Sequence, residues 1–236
     1  MGPVTTQVGH TIDFSVTKGN TGAYMRTNTL IVFEGIDGSG KSVQAKMLAD
    51  RLKKQGHQVT SFHSPRYDRP LGKMIKDALH GKHGDFRNLS PYFSALPYLL
   101  DFATMKDSLV AALKMGFVVS DRYVPSTLAF HGAKLDGAAR TKFVKFATEL
   151  MYDEAGLPKP NLVIHLKVTE KLAKEHLDDS GKVLDQHERD TAYQKRVADA
   201  YAIFARDKKI WRTVECKEGE SPKEIHERVW DAISAS

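Results

Sequence analysis

The chain has 236 residues, 41% of them hydrophobic, and a formal net charge of +6. That supply of apolar residues suffices for one sizeable core, and the length suits a single α/β domain better than two. No apolar run is long enough to cross a bilayer, and the single cysteine, Cys216, excludes an internal disulfide and fits a reducing compartment. The positive charge suits polyanions, nucleotides included, without marking a nucleic-acid binder, so neither a nucleic acid nor a membrane is an expected partner.

Residues 1 to 27 are rich in Gly and Thr, show no helical or strand period, and read as an N-terminal tail with Met25 as a candidate internal start. They lack both the Arg-rich amphipathic pattern of a mitochondrial presequence and the apolar centre of a secretory signal. The cytoplasm is therefore the default address, with a mitochondrial one left open, and the domain proper is expected over 28 to 236.

The apolar run Leu30 to Phe33 predicts a buried strand. It leads into Gly35-Ile36-Asp37-Gly38-Ser39-Gly40-Lys41-Ser42, which matches the phosphate-binding pattern G-x-x-x-x-G-K-[ST] at every fixed position. A helix follows over Val43 to Leu52, stopped by Gly56. A strand before and a helix after are the context this pattern requires: Gly35, Gly38, Ser39 and Gly40 let backbone N–H groups converge on phosphate oxygens at a helix N-terminus. Lys41 would bridge the terminal phosphates of a nucleoside triphosphate, and Ser42 would hold Mg²⁺.

Further strands are expected at Val59 to His63, Phe117 to Ser120, Leu162 to Leu166 and Trp211 to Cys216, separated by helices over Leu71 to His80, Pro91 to Lys114, Ala138 to Tyr152, Glu188 to Lys208 and Pro222 to Ile233. Ser221-Pro222-Lys223-Glu224 supplies a capping box for the last of these. The alternation predicts a parallel sheet of about five strands covered by helices on both faces, the α/β architecture of phosphate-loop NTPases, with its site at the strand ends. Phe117 to Ser120 delivers Asp121 and Arg122 to that same end, an acid able to order a metal's water shell beside a guanidinium able to clamp a phosphate. Cys216 reads as a structural thiol. Asp185 to Asp190 has the composition of a zinc site but poor ligand spacing, and reads as the polar start of the next helix.

Three segments taken together resemble thymidylate kinases: Phe33 to Ser42; Asp121-Arg122-Tyr123 with Ser126 and Ala129-Phe130-His131-Gly132-Ala133-Lys134; and Gly156-Leu157-Pro158-Lys159-Pro160-Asn161-Leu162. The resemblance runs from about Leu30 to the C-terminus. It implies transfer of the γ-phosphoryl group of ATP to the 5′-phosphate of dTMP, with Mg²⁺, in a homodimer. It further implies that Asp37 meets the 3′-hydroxyl of the deoxyribose, Arg122 the acceptor phosphate, Asp121 the metal's waters, and Phe130 the thymine or sugar, with Ser126 also on the dTMP side. A phosphate monoester is already a nucleophile, so no general base is expected.

The sequence also departs from the family's pattern. Where many members place an Arg before the proline that follows the second strand, this chain reads His63-Ser64-Pro65-Arg66, which makes Arg66 the expected substitute and His63 the second candidate. On the long helix, Tyr98 falls at the position of an aromatic that stacks on thymine, and Phe102 at that of an arginine that reads the base edge, one turn apart on one face. A lid is expected over about 170 to 189. Glu170 to Gln186 holds no arginine, so Lys174 and Lys182 are the expected catalytic cations, with Lys171, His176 and Arg189 nearby.

Two rivals stand beside this reading. One is another nucleoside or nucleoside monophosphate kinase of broader base specificity; a nucleoside kinase would need a carboxylate where Ser64 and Pro65 stand. The other is a nucleotide-dependent switch, which if GTP-binding would carry an N-K-x-D motif that this sequence lacks.

Overall fold

The structure, a computed structural model, describes residues 28–85, 88–179, 181 and 183–234. The tail over 1 to 27 and Lys182 lie outside the described residues.

Five strands, β1 (Leu30–Glu34), β2 (Val59–His63), β3 (Phe117–Asp121), β4 (Leu162–Lys167) and β5 (Trp211–Glu215), form one sheet in the order β2-β3-β1-β4-β5. Every neighbouring pair is parallel, with Leu30 opposite Val118 and Ile31 opposite Leu162. A sheet of this kind needs cover on both faces, and β1 shows how its residues supply it. Leu30 and Val32 point to one face and pack with α3 (Pro91–Met115), α4 (Val124–Gly132) and α5 (Gly137–Thr148). Ile31 and Phe33 point to the other and pack with α1 (Lys41–Lys54) and α8 (Pro222–Ser234). The remaining helices are α2 (Pro70–Leu79), which docks on α3 through Ile75 and Leu79, α6 (Glu170–Asp179) and α7 (Thr191–Phe204). Among the described residues no helix is long and apolar enough to cross a membrane.

The expected strands and most helices are present, with four differences. The helix expected from Glu188 begins at Thr191, because 185–188 folds into its own turn and Asp190 caps the helix by accepting from the Tyr193 N–H at 2.9 Å. The helix expected to Tyr152 changes to a π-helical turn over Glu149–Glu154. Two helices were not expected: α4, whose nine residues are all buried and so carry no amphipathic period, and α6, within the segment expected to act as a lid.

Candidate active site

The phosphate loop joins β1 to α1 at the centre of the sheet, where the carboxyl ends of β1 and β3 lie side by side. Lys41 folds back over the loop: its Nζ donates to the Ile36 carbonyl at 2.6 Å and to Ser39 Oγ at 3.2 Å. Burial pushes its pKa down to about 8, with the nearby Arg122 charge adding to the effect and Asp37, Asp121 and Glu34 opposing it. Ser42 Oγ donates to the Asp121 carboxylate, so the two oxygen ligands expected around a metal meet at the mouth of the loop.

Gly38 lies in the left-handed region at φ 77°, and a Cβ there would stand 2.2 Å from the carbonyl oxygen of Ala173 on α6. The absence of a side chain at this loop position therefore has a steric reason: α6 rests directly on it. His176, one turn beyond Ala173, adds a second contact. Its Nδ1 is 2.8 Å from the Gly38 carbonyl, which can only accept, so the ring nitrogen is the donor.

At the end of β3, Arg122 adopts φ 68°, an uncommon conformation for a large side chain. Its guanidinium pairs with Asp37, donates to Ser126 Oγ at 3.2 Å and lies 4.9 Å over the Phe130 ring. Burial works against this charge, and the carboxylates of Asp37, Asp121 and Glu34 more than compensate for it. Asp37 is buried too, which would raise its pKa, but Arg122, Lys41 and a 2.9 Å hydrogen bond from Gln194 Nε2 bring it below the usual carboxylate range. The loop's only acid is thus ionised and held from two sides.

One cavity of about 940 Å³ joins these groups. Its lining takes in Gly38, Ser39, Gly40, Lys41 and Ser42 of the loop, the polar Asp37, Asp121, Arg122 and Ser126, and the aromatic Tyr98, Phe102 and Phe130. Phe102 is 1% exposed and packs edge-on against Tyr123 at 5.3 Å, while Tyr98 packs edge-on against His131 at 5.2 Å. Phe102 thus lines the cavity as apolar wall and offers no hydrogen bond there. Gly35, expected with the rest of the loop, does not line the cavity.

Two expected residues are placed differently. Arg66 does not line the cavity. Its guanidinium donates to the Asp101 carboxylate at 3.0 Å, to the Asp101 carbonyl at 3.2 Å and to Thr104. Asp101 is fully buried and needs a cation, so Arg66 is drawn to α3 and pins the loop after β2 to it. That leaves its neighbour Tyr67, with His63, on the cavity wall. Lys174 is exposed on α6 and does not line the cavity, whereas His176 does.

Sequence reasoning missed three further residues. Glu34, 0% exposed, accepts hydrogen bonds from both backbone and side chains around Arg122; its signal was an acid ending a wholly apolar strand. Gln194 reaches Asp37 from α7, 157 positions away, with no local signal. Asp185 lines the cavity, and burial together with the charges of Asp37 and Glu188 raises its pKa to about 6.

The family model described as Thymidylate kinase matches residues 33–229. A thymidylate kinase of Mycobacterium tuberculosis (strain H37Rv) is 34% identical over 184 residues, covering 75% of this chain and 85% of its own. A probable thymidylate kinase of Thermococcus kodakarensis is 34% identical over 182 residues, covering 74% and 83%. Among solved structures, thymidylate kinase from Candida albicans superposes with a TM-score of 0.68 at 24% identity, over 88% of this chain and 91% of that one, a likeness that speaks to the fold. The matched region takes in the phosphate loop, the Asp121-Arg122 strand end and helix α6, which meet in one cavity, and the chain belongs to the thymidylate kinase family.

Proposed function

We propose that this cavity is where the chain transfers the γ-phosphoryl group of ATP to the 5′-phosphate of dTMP. The observation that carries the reading is the continuity of the cavity: Lys41 and Ser42 line the same space as Arg122 and Asp37, so donor and acceptor phosphates can meet in it. The loop amides and Lys41 hold the donor phosphates and neutralise charge on the transferring group. Arg122 clamps the acceptor phosphate, Asp37 accepts from the 3′-hydroxyl, and Phe130 and Tyr98 pack on the nucleoside. Ser42 and Asp121 present adjacent hard oxygens that fit Mg²⁺, which prefers oxygen ligands and keeps several waters. Bound there, the ion would supply charge neutralisation between the donor phosphates.

Lid cations complete the site. His176 already reaches the phosphate loop from α6, and Lys174 and Lys182 add positive charge as the lid closes. The row Phe93, Leu96 and Leu100 on α3 is exposed at 69%, 43% and 54% and follows a helical period, which supports a homodimer packed through that helix. The lone cysteine, buried Cys216, suits work in the reducing cytoplasm.

The test is a coupled assay of ADP release with ATP against a panel of nucleoside monophosphates and thymidine. dTMP should give the highest kcat/KM, and thymidine, which lacks the phosphate nucleophile, should give none. Release of ADP at the same rate with no acceptor, or turnover of thymidine, overturns the reading.

A further inference from the structure

Arg122 holds an unfavourable backbone conformation, and a left-handed φ in a large residue persists only where its surroundings fix it. Its N–H donates to the Phe33 carbonyl at 3.0 Å, and its carbonyl accepts from Ser120 Oγ at 2.7 Å. The next peptide is held differently. The Tyr123 N–H donates to Glu34 Oε1 at 2.9 Å, and the same oxygen accepts from the Ser126 N–H at 3.2 Å. Tyr123 is the N-cap of α4 and has no side-chain cap of its own, so these two N–H groups are among those a helix start leaves without an i→i−4 partner; that of Ser126 is shared between Glu34 and the Tyr123 carbonyl, at 2.9 Å from the latter. In a capping box nearby residues would satisfy them. Here a carboxylate from the end of β1, 89 positions upstream, does so.

The second oxygen, Glu34 Oε2, accepts from Ser126 Oγ and from the Tyr201 hydroxyl at 2.7 Å. Ser126 Oγ in turn accepts from Arg122 Nη1 at 3.2 Å. One carboxylate therefore holds the peptide after Arg122, the helix start that follows and the hydroxyl that receives its guanidinium. Glu34 does not line the cavity, and both of its oxygens are occupied, so it has no route to substrate.

We propose that Glu34 is a positioning residue: it caps α4 across the sheet and so aims Arg122 at the acceptor phosphate. This rests on the assignment of Arg122 to that phosphate. An acid that merely stabilised the fold would weaken all ligands alike, whereas one that aims Arg122 weakens only ligands carrying the phosphate.

The experiment measures binding of dTMP, of thymidine and of a non-hydrolysable ATP analogue to the wild-type protein, Glu34→Gln, Arg122→Gln and the double variant. In Glu34→Gln the Kd for dTMP should rise ten-fold or more, with thymidine and the ATP analogue changed less than two-fold. Adding Glu34→Gln to Arg122→Gln should change dTMP binding less than two-fold further, because the two residues act as one unit. Tyr201→Phe, which removes one hydroxyl and leaves the carboxylate, should shift the dTMP-to-thymidine ratio the same way by a smaller factor, and it reports even where Glu34→Gln does not fold. Equal weakening of dTMP and thymidine, an unchanged ratio in both Glu34→Gln and Tyr201→Phe, or independent effects in the double variant overturns the proposal. An unchanged ratio in Arg122→Gln alone overturns the phosphate assignment itself and the clamp with it, which separates the two failures.

Discussion

Replacing Gly38 by alanine tests whether the lid must rest on the phosphate loop for turnover. The added Cβ would stand 2.2 Å from the Ala173 carbonyl oxygen, 2.9 Å from its carbonyl carbon and 3.1 Å from its Cα, all backbone atoms that cannot rotate aside. An ordinary contact begins at about 3.4 Å, so α6 has to retreat by roughly 1 Å. That retreat stretches the 2.8 Å bond between His176 and the Gly38 carbonyl beyond hydrogen-bonding range. The lost bond costs about 1 kcal/mol, and the left-handed backbone costs about 1 to 2 kcal/mol for any residue with a Cβ. If about 1.4 to 2.8 kcal/mol of this falls on the lid-closed state, kcat drops roughly 10- to 100-fold. KM for ATP should move less, since the loop amides remain in place. The assay is steady-state ADP release at saturating ATP and dTMP, read beside thermal unfolding. Gly56→Ala is the control: its φ is also positive, at 90°, and nothing lies within 4 Å of its added Cβ, so it carries the backbone cost alone. A Gly38→Ala protein with kcat within two-fold of wild type would refute the claim that the lid seats on the loop during turnover.

Lys41 in the free protein loses its proton at about 8, so kcat/KM for ATP should fall as pH rises through that value while the fold holds. Between that value and its ordinary 10.5 the unfolded chain binds more protons than the folded one, so this group makes stability rise with pH, a trend that Lys41→Met should remove. Asp185 behaves in the opposite sense: its pKa is raised from 3.8 to about 6, so its ionisation destabilises the fold as pH rises across that window. Asp185→Asn should therefore gain about 1 to 2 kcal/mol in denaturant unfolding at pH 7.5 and nothing at pH 4; equal gains at both would refute the cause. A 3′-azido analogue of dTMP should react at least about ten-fold more slowly than dTMP, and Asp37→Asn should narrow the gap; equal rates with the unaltered protein would remove Asp37 from the sugar site. Because Phe102 offers no hydrogen bond to the cavity it lines, dUMP should compete within about 1 to 3 kcal/mol of dTMP in kcat/KM, and discrimination of many orders of magnitude would show that another residue reads the base.

The sequence by itself determined whatever depends on neighbours along the chain. The apolar runs that became β1 to β5, the loop Gly35 to Ser42, and Asp121 with Arg122 at a strand end are contiguous patterns, and their chemistry follows from residue type and spacing. Only the tertiary structure decided what distant residues do to one another. Arg66 went to Asp101 because a fully buried carboxylate demands a cation more strongly than an open cavity does. Phe102 became wall, and α4 escaped notice because a helix buried on every side has no polar face to mark its period. Gly38 proved to be a seat for α6, which its place in the phosphate pattern could not reveal. Glu34 reaches α4 across 89 positions and Gln194 reaches Asp37 across 157. Such contacts are set by how helices pack on the sheet, and no local periodicity encodes a hydrogen bond whose partners meet only after that packing is complete.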